Sequence, residues 1–109
     1  MIDWGRVSDL RDEIGEDDFN EIMDMFLDET DVVVSELSPD ASPRAMESSL
    51  HFLKGSALNI GLSALAQICS QYERAAAAGA TELDIAGVVS CYAQSRALLV
   101  TGLDRLRAA

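Results

Sequence analysis

Apolar residues recur at alternating three- and four-residue steps along almost the whole chain, and this helical period limits what the chain can fold into. Glycines and prolines interrupt the period and divide the sequence into five segments, at Gly15, Pro39, Pro43, Gly61 and Gly79. Strand signals are almost absent, since the β-branched run 32–34 lies inside a longer helical segment. The sequence therefore predicts an all-α protein.

The five segments predict helices at about 3–14, 17–37, 43–59, 62–78 and 82–107. The third should begin with Ser42 as its N-cap and Pro43 in the first helical position. The last should begin at a capping-box-like stretch from Thr81 to Asp84. Four long helices with short connections are typical of an antiparallel bundle. We expect residues 1–109 to form a single domain, an antiparallel four-helix bundle with a short additional N-terminal helix.

The apolar positions also predict which side chains fill the core. On the second helix the predicted inward residues are Phe19, Ile22, Met23, Phe26, Val33 and Leu37. Met25 and Met46 are expected in the core as well. Cys69 and Cys91 lie in apolar patterns without CxxC spacing or a second histidine, so we expect buried thiols rather than a metal or redox site. Trp4 would either fasten the first helix to the bundle or belong to a docking surface.

The charge of the chain argues against several classes of partner. The sequence has 19 acidic and 8 basic side chains and a formal net charge of -11, which repels nucleic-acid phosphates and anionic lipids. No apolar run approaches the roughly 18 to 20 residues of a membrane-spanning helix, and the start of the chain lacks the layout of a signal peptide. We expect a cytoplasmic protein that binds neither nucleic acid nor membrane. The acidic residues between Asp12 and Asp31 are typical of a solvated face, which could also select partners with basic surfaces.

The single histidine lies in the stretch His51-Phe52-Leu53-Lys54-Gly55-Ser56-Ala57. At roughly 100° per residue, the core face of this helix consists of Met46, Leu50, Leu53 and Ala57. The histidine falls on a separate stripe with Glu47, Lys54, Gly55 and Leu58. The imidazole should therefore project into solvent, an unusual place for a structural histidine. Glu47 and Leu58 are candidate docking residues on this stripe.

Lys54 and Gly55 suit this stripe to the transfer of an anion. A glycine inside a helix costs roughly 1 kcal/mol relative to alanine, and here it would let another protein approach His51 closely. Lys54 places a cation beside the ring, and a charge-assisted bond to phosphate contributes roughly 1.5 to 3 kcal/mol. Neutral imidazole can attack an acyl phosphate and form a labile phosphoramidate. Since no carboxylates cluster around His51, magnesium and most catalytic groups would belong to the partner.

The same stretch, with Gly61 ten residues after the histidine, resembles the signature of histidine-containing phosphotransfer (HPt) domains. Leu65, Cys69 and Glu73-Arg74 are similar to the helix that follows in that family. The segment 15–17, with Phe19 and Phe26, is similar to its earlier helices. The resemblance covers essentially the whole chain.

The resemblance implies that His51 is the phosphorylated residue, that Lys54 assists the phosphoryl group and that Gly55 admits the partner. The implied partners are response-regulator receiver domains, which react through an aspartate with bound magnesium, and a hybrid sensor kinase. Some members have a glutamine near the phosphohistidine where this chain has Glu73, and a carboxylate there would repel phosphate, so we assign Glu73 no phosphate contact. Nothing resembles the ATP-binding part of a kinase. We therefore expect a phosphocarrier that is not an enzyme and that holds no cofactor or metal of its own.

Two other functions stay open. A helical adaptor that binds signalling proteins without being phosphorylated would keep its full function after His51→Gln. A metal- or proton-handling site at His51 would lack a second ligand at suitable spacing. We expect a monomer, because one bundle uses the periodic faces. The N-terminal methionine and the length favour a free-standing protein over a domain of a hybrid kinase.

Overall fold

The computed structural model describes residues 1–80 and 82–108, and every regular element within these ranges is an α-helix. The helices are α1 (Trp4–Ile14), α2 (Glu16–Ser35), α3 (Pro43–Ile60), α4 (Ser63–Ala77) and α5 (Ile85–Ala108). Helices α2 to α5 form the antiparallel bundle and α1 is the additional N-terminal helix, so the predicted fold class is confirmed. In the described ranges, no helix has the length and apolar character needed to cross a membrane.

The ends of α3 follow from local chemistry. The Ser42 hydroxyl accepts a hydrogen bond from the Ala45 N–H at 3.2 Å, and Pro43 occupies the first turn, where its missing N–H costs nothing. Gly61 ends the helix in the left-handed conformation at φ 86°. A Cβ at Gly61 would lie 2.8 Å from the Asp3 carbonyl oxygen, so close packing also requires glycine at this turn.

Helix α5 begins three residues later than the predicted start at 82. The Asp84 carboxylate accepts a hydrogen bond from the Gly87 N–H at 3.0 Å and thereby caps the helix. Thr81, to which the sequence assigned the start of a capping box, lies outside the described residues. The N-cap of α5 is therefore Asp84, which is the last residue of the predicted capping box and not its first. Helix α2 also differs, since it ends at Ser35 instead of continuing to 37.

Helix α2 is rotated relative to the predicted inward face. Its buried residues are Phe19, Met23, Leu27, Thr30 and Val34, whereas Ile22, Phe26, Val33 and Leu37 are only partly buried. Thr30 is accommodated in the core because its hydroxyl donates to the Phe26 carbonyl oxygen at 2.6 Å. The prediction for Met25 is wrong, because this side chain lies on the outer face of α2 and is 54% exposed.

The start of helix α1 contacts both the α3–α4 turn and the C-terminal part of α5. The Asp3 N–H donates to the Gly61 carbonyl oxygen at 2.7 Å, and Arg6 Nε donates to the Asn59 carbonyl oxygen at 3.1 Å, so the start of α1 is tied to the α3–α4 turn. The Trp4 ring packs directly on Gly102 of α5, where an added Cβ would overlap it. Of the two roles left open for Trp4, the structure therefore supports fastening α1 to the bundle.

Candidate functional site

His51 projects from the middle of α3, and its side chain is 70% exposed. Its neighbours Leu50 and Leu53 are completely buried and anchor the helix in the core. Helical geometry directs His51 away from that buried face. The exposure of the imidazole agrees with the prediction from the helical period.

The imidazole is held in place by Glu73 of α4. His51 Nδ1 lies 2.7 Å from Glu73 Oε1. Because an ionised carboxylate can only accept a hydrogen bond, Nδ1 carries the proton and donates it to Glu73. In a neutral ring the lone pair then belongs to Nε2. Glu73 thus orients the ring and leaves the lone pair of the neutral imidazole on Nε2.

The second oxygen of Glu73 binds Lys54. The distance from Glu73 Oε2 to Lys54 Nζ is 2.8 Å, and the two side chains are 16% and 29% exposed. Lys54 in the first place, and His51 in the second, hold the pKa of Glu73 below its usual value. One ionised carboxylate therefore bridges His51 and Lys54.

Glu73 was not among the predicted site residues, yet its carboxylate lies at the centre of the site. The sequence could have indicated that Glu73 lies near the core, because Cys69 and Ala76 lie one helical turn to either side of it. Both of these residues are buried. A carboxylate on that face needs a cation, and Lys54 supplies it. Repulsion between Glu73 and phosphate, which the sequence suggests, is thus outweighed in the unphosphorylated site by the attraction of Glu73 to Lys54.

The surface around His51 is open on the side of Gly55. A Cβ at Gly55 would meet nothing within 4 Å, so packing inside this chain does not require glycine there. The candidate docking residue Leu58 is 59% exposed, and Glu47 is half-buried. Phe52, which was not among the predicted docking residues, is 41% exposed beside the histidine. Two large apolar side chains thus face solvent near the imidazole.

Two depressions lie on either side of His51 along α3. The histidine cleft, of about 410 Å³, is lined by Arg44, Glu47, Ser48, His51 and Glu73. The α3–α4 groove, of about 400 Å³, is lined by Lys54, Leu58, Ser63, Ala66, Gln67, Ser70, Gln71 and Arg74. His51 and Lys54 therefore line different depressions.

The cysteines lie apart from this arrangement. Cys69 is buried, as predicted, and burial raises the pKa of its thiol to about 12, whereas Cys91 is only partly buried. Both are free thiols. Across residues 1–80 and 82–108, no group of three or more His, Cys, Asp or Glu side chains is placed to hold a metal ion.

A protein-family model described as the Hpt domain matches residues 21–109. The matched region contains most of α2 and all of α3, α4 and α5, and with them every residue of the site, whereas α1 lies outside it. No curated protein and no solved structure matches the chain.

Proposed function

The chain belongs to the Hpt domain family, and on this basis we propose that it shuttles a phosphoryl group between His51 and aspartates of receiver domains in a two-component phosphorelay. Hpt domains act in phosphorelays as phosphocarriers and interact with receiver domains and kinases. The observation that carries the proposal for this chain is the exposed imidazole, whose Nδ1 is engaged by Glu73 so that the lone pair is on Nε2.

In the proposed reaction, Nε2 of His51 attacks the phosphorus of an aspartyl phosphate on the receiver. The N–P bond forms as the P–O bond to the aspartate breaks, and the aspartate leaves as a carboxylate. The Nδ1 proton stays on the ring, and Glu73 stabilises the positive charge that develops there. In the reverse reaction the aspartate attacks the phosphorus and the electron pair of the N–P bond returns to Nε2.

Lys54 and Gly55 have complementary roles in this proposal. Lys54 exchanges its bond to Glu73 for one to the phosphoryl group, since a dianionic phosphoryl group attracts the ammonium more strongly than one carboxylate does. Gly55 keeps the surface beside His51 free for the receiver. Leu58 and Glu47, on the same stripe, contact the docked partner.

The remaining catalytic groups belong to the partner. We assign magnesium to the receiver domain, and phosphorylation from ATP to an upstream hybrid sensor kinase, so the chain acts as a phosphocarrier without kinase activity of its own. The exposed Phe52 and Leu58 favour a protein partner, because large apolar side chains at the surface are typical of interaction sites.

The decisive experiment is incubation of the wild type and of His51→Gln with a phosphorylated receiver domain. We expect acid-labile, alkali-stable phosphate on the wild type alone. Phosphate on both proteins would place the phosphorylated residue elsewhere. If several receivers left the wild type unlabelled, the adaptor function would replace the proposed one.

A further inference from the structure

The histidine cleft is lined by one cation, Arg44, among the described residues. Lys54 borders the α3–α4 groove instead and is already paired with Glu73. The second carboxylate of the cleft, Glu47, forms no ion pair within the part of the chain that the structure describes. A phosphoryl dianion on His51 would therefore meet two carboxylates, and Lys54 alone cannot compensate these and the phosphoryl group together.

Arg44 lies within reach of a group attached to His51. The two residues are seven positions apart on α3, which corresponds to about 10 Å along the axis and to directions about 20° apart. Both residues line the histidine cleft, so Arg44 and a group attached to the imidazole face the same depression. A phosphoryl group on Nε2 shortens the remaining distance, which the long arginine side chain can span.

The position of Arg44 in α3 is not explained by helix stability. It is the second residue of the helix, where the partial positive charge of the N-terminus disfavours a cation, and the first turn contains no acidic residue to compensate it. Arg44 also forms no hydrogen bond or ion pair with any described side chain. Its guanidinium is thus free to bind an external anion.

We propose that Arg44 is a second phosphoryl-binding side chain, which binds the phosphoryl group on His51 through its guanidinium from the N-terminal side of the ring. The inference rests on the proposed phosphotransfer function. In this arrangement Lys54 and Arg44 contact the phosphoryl group from opposite sides along α3, and Arg44 offsets the charge of Glu47.

The test compares Arg44→Ala and Arg44→Lys with Arg105→Ala, which removes the same charge from an exposed arginine of α5 beside Trp4. Each protein is phosphorylated by a phosphorylated receiver domain and, separately, by phosphoramidate, a small donor that needs no docking surface. We expect Arg44→Ala to slow both reactions about tenfold, because one charge-assisted hydrogen bond to the phosphoryl group is lost. Arg44→Lys should retain most of the rate, and Arg105→Ala should match the wild type.

Unfolding in urea separates a binding role from a structural one. Arg44→Ala should be at least as stable as the wild type, since it removes a cation from the positive end of α3. Slowing with the receiver alone would overturn the inference, because Arg44 would then contact the partner and not the phosphoryl group. Equal rates for Arg44→Ala and Arg105→Ala with both donors would also overturn the inference about Arg44. The proposed phosphotransfer function would still stand in that case, as long as the wild type is labelled. An unlabelled wild type would overturn the proposed function and this inference together.

Discussion

The carboxylate of Glu73 contacts both His51 and Lys54, and so determines the positions of both side chains in the unphosphorylated site. It fixes the tautomer of His51 through Nδ1 and at the same time neutralises Lys54. In the proposed reaction, phosphorylation at Nε2 would leave the first contact in place and compete with the second. Lys54 would then become available to the phosphoryl group only by leaving Glu73.

The first prediction concerns Glu73. Glu73→Leu removes the acceptor for the Nδ1 proton and should slow phosphorylation of His51 by a phosphorylated receiver about tenfold, because the ring loses a charge-assisted hydrogen bond. Glu73→Gln retains an acceptor oxygen and should keep more of the rate than Glu73→Leu. The initial rate of label transfer measures both effects. Both variants remove the charge that pairs with Lys54, so equal rates for Glu73→Leu and Glu73→Gln would show that the hydrogen bond does not contribute to the reaction.

The second prediction concerns Gly55. Since a Cβ there meets nothing within 4 Å, Gly55→Gln should fold and gain up to about 1 kcal/mol of unfolding free energy, because glycine is a poor helix former. Transfer from a receiver should fall sharply, while phosphoramidate should still label His51. Gly55→Ala is the matched control and should slow the receiver less. Undiminished transfer to Gly55→Gln would refute close approach as the reason for glycine.

The third prediction concerns Ser95, a buried serine of α5. Its hydroxyl has no hydrogen-bond partner among the described residues, whereas the equally buried Thr30 donates to the Phe26 carbonyl oxygen. Ser95→Ala should therefore raise the free energy of unfolding in urea by about 1 kcal/mol. Thr30→Val, the control, removes a satisfied hydroxyl and should give no such gain. A loss of stability in Ser95→Ala would contradict the expectation.

At the scale of the elements, the sequence predicts that the helices exist. It also predicts the helix ends at which a capping residue, a proline or a glycine lies. Ser42, Pro43 and Gly61 act within one turn of the chain, so their effect is present in the sequence. The inward face of α2 could not be predicted, because apolar residues occur nearly all around it between 22 and 27 and packing against other helices selects Leu27 over Met25. The Glu73 contact depends in the same way on how α3 and α4 are rotated against each other.

Helices α2 and α5 are linked by one polar cluster that the apolar period did not reveal. Arg96 donates from Nε and from a terminal nitrogen to the two carboxylate oxygens of Asp31, at 2.9 and 3.0 Å. The buried Tyr92 hydroxyl donates to the same carboxylate. The Arg96 guanidinium in particular lowers the pKa of Asp31, while burial and Asp31 raise the pKa of Tyr92.

The fourth prediction follows from the lowered pKa of Asp31. A carboxyl group whose pKa is lower in the folded state stabilises the fold above its unfolded pKa, near 3.8, and loses this effect as the pH falls through the folded value. Asp31→Asn should thus be less stable than the wild type near neutral pH, and the difference should shrink below about pH 4. Urea unfolding over this pH range tests it. A difference that is constant or grows at low pH would contradict the assignment.

On the scale of the whole molecule, charge is distributed unevenly between the two halves of the bundle. The segment from Asp9 to Glu36, which covers α2 and most of α1, has twelve acidic residues and one basic residue. Helices α3 and α4 have only two acidic and three basic residues, namely Glu47, Glu73, Arg44, Lys54 and Arg74. The helix pair that holds the site is therefore the less acidic half. A partner with an acidic surface would therefore be repelled less at α3 and α4 than at α1 and α2, which fits the proposed receiver at His51.

Because acidic residues are concentrated in α1 and α2, we predict that salt stabilises the fold. Raising KCl from about 0.01 to about 1 M shortens the Debye length from about 30 to about 3 Å and screens the repulsion among the acids of α1 and α2. Salt also weakens the few favourable ion pairs, but these are mostly exposed and contribute little, so the free energy of unfolding should rise. The control is a triple variant, Glu21→Gln/Asp28→Asn/Glu36→Gln, which neutralises three exposed acids of α2 and its C-cap. It should be more stable than the wild type at low salt, in part because Glu36 lies at the negative end of α2, and should gain less from KCl. If KCl raised the free energy of unfolding equally in both proteins, the effect would come from stronger apolar burial in concentrated salt and not from screening of charge.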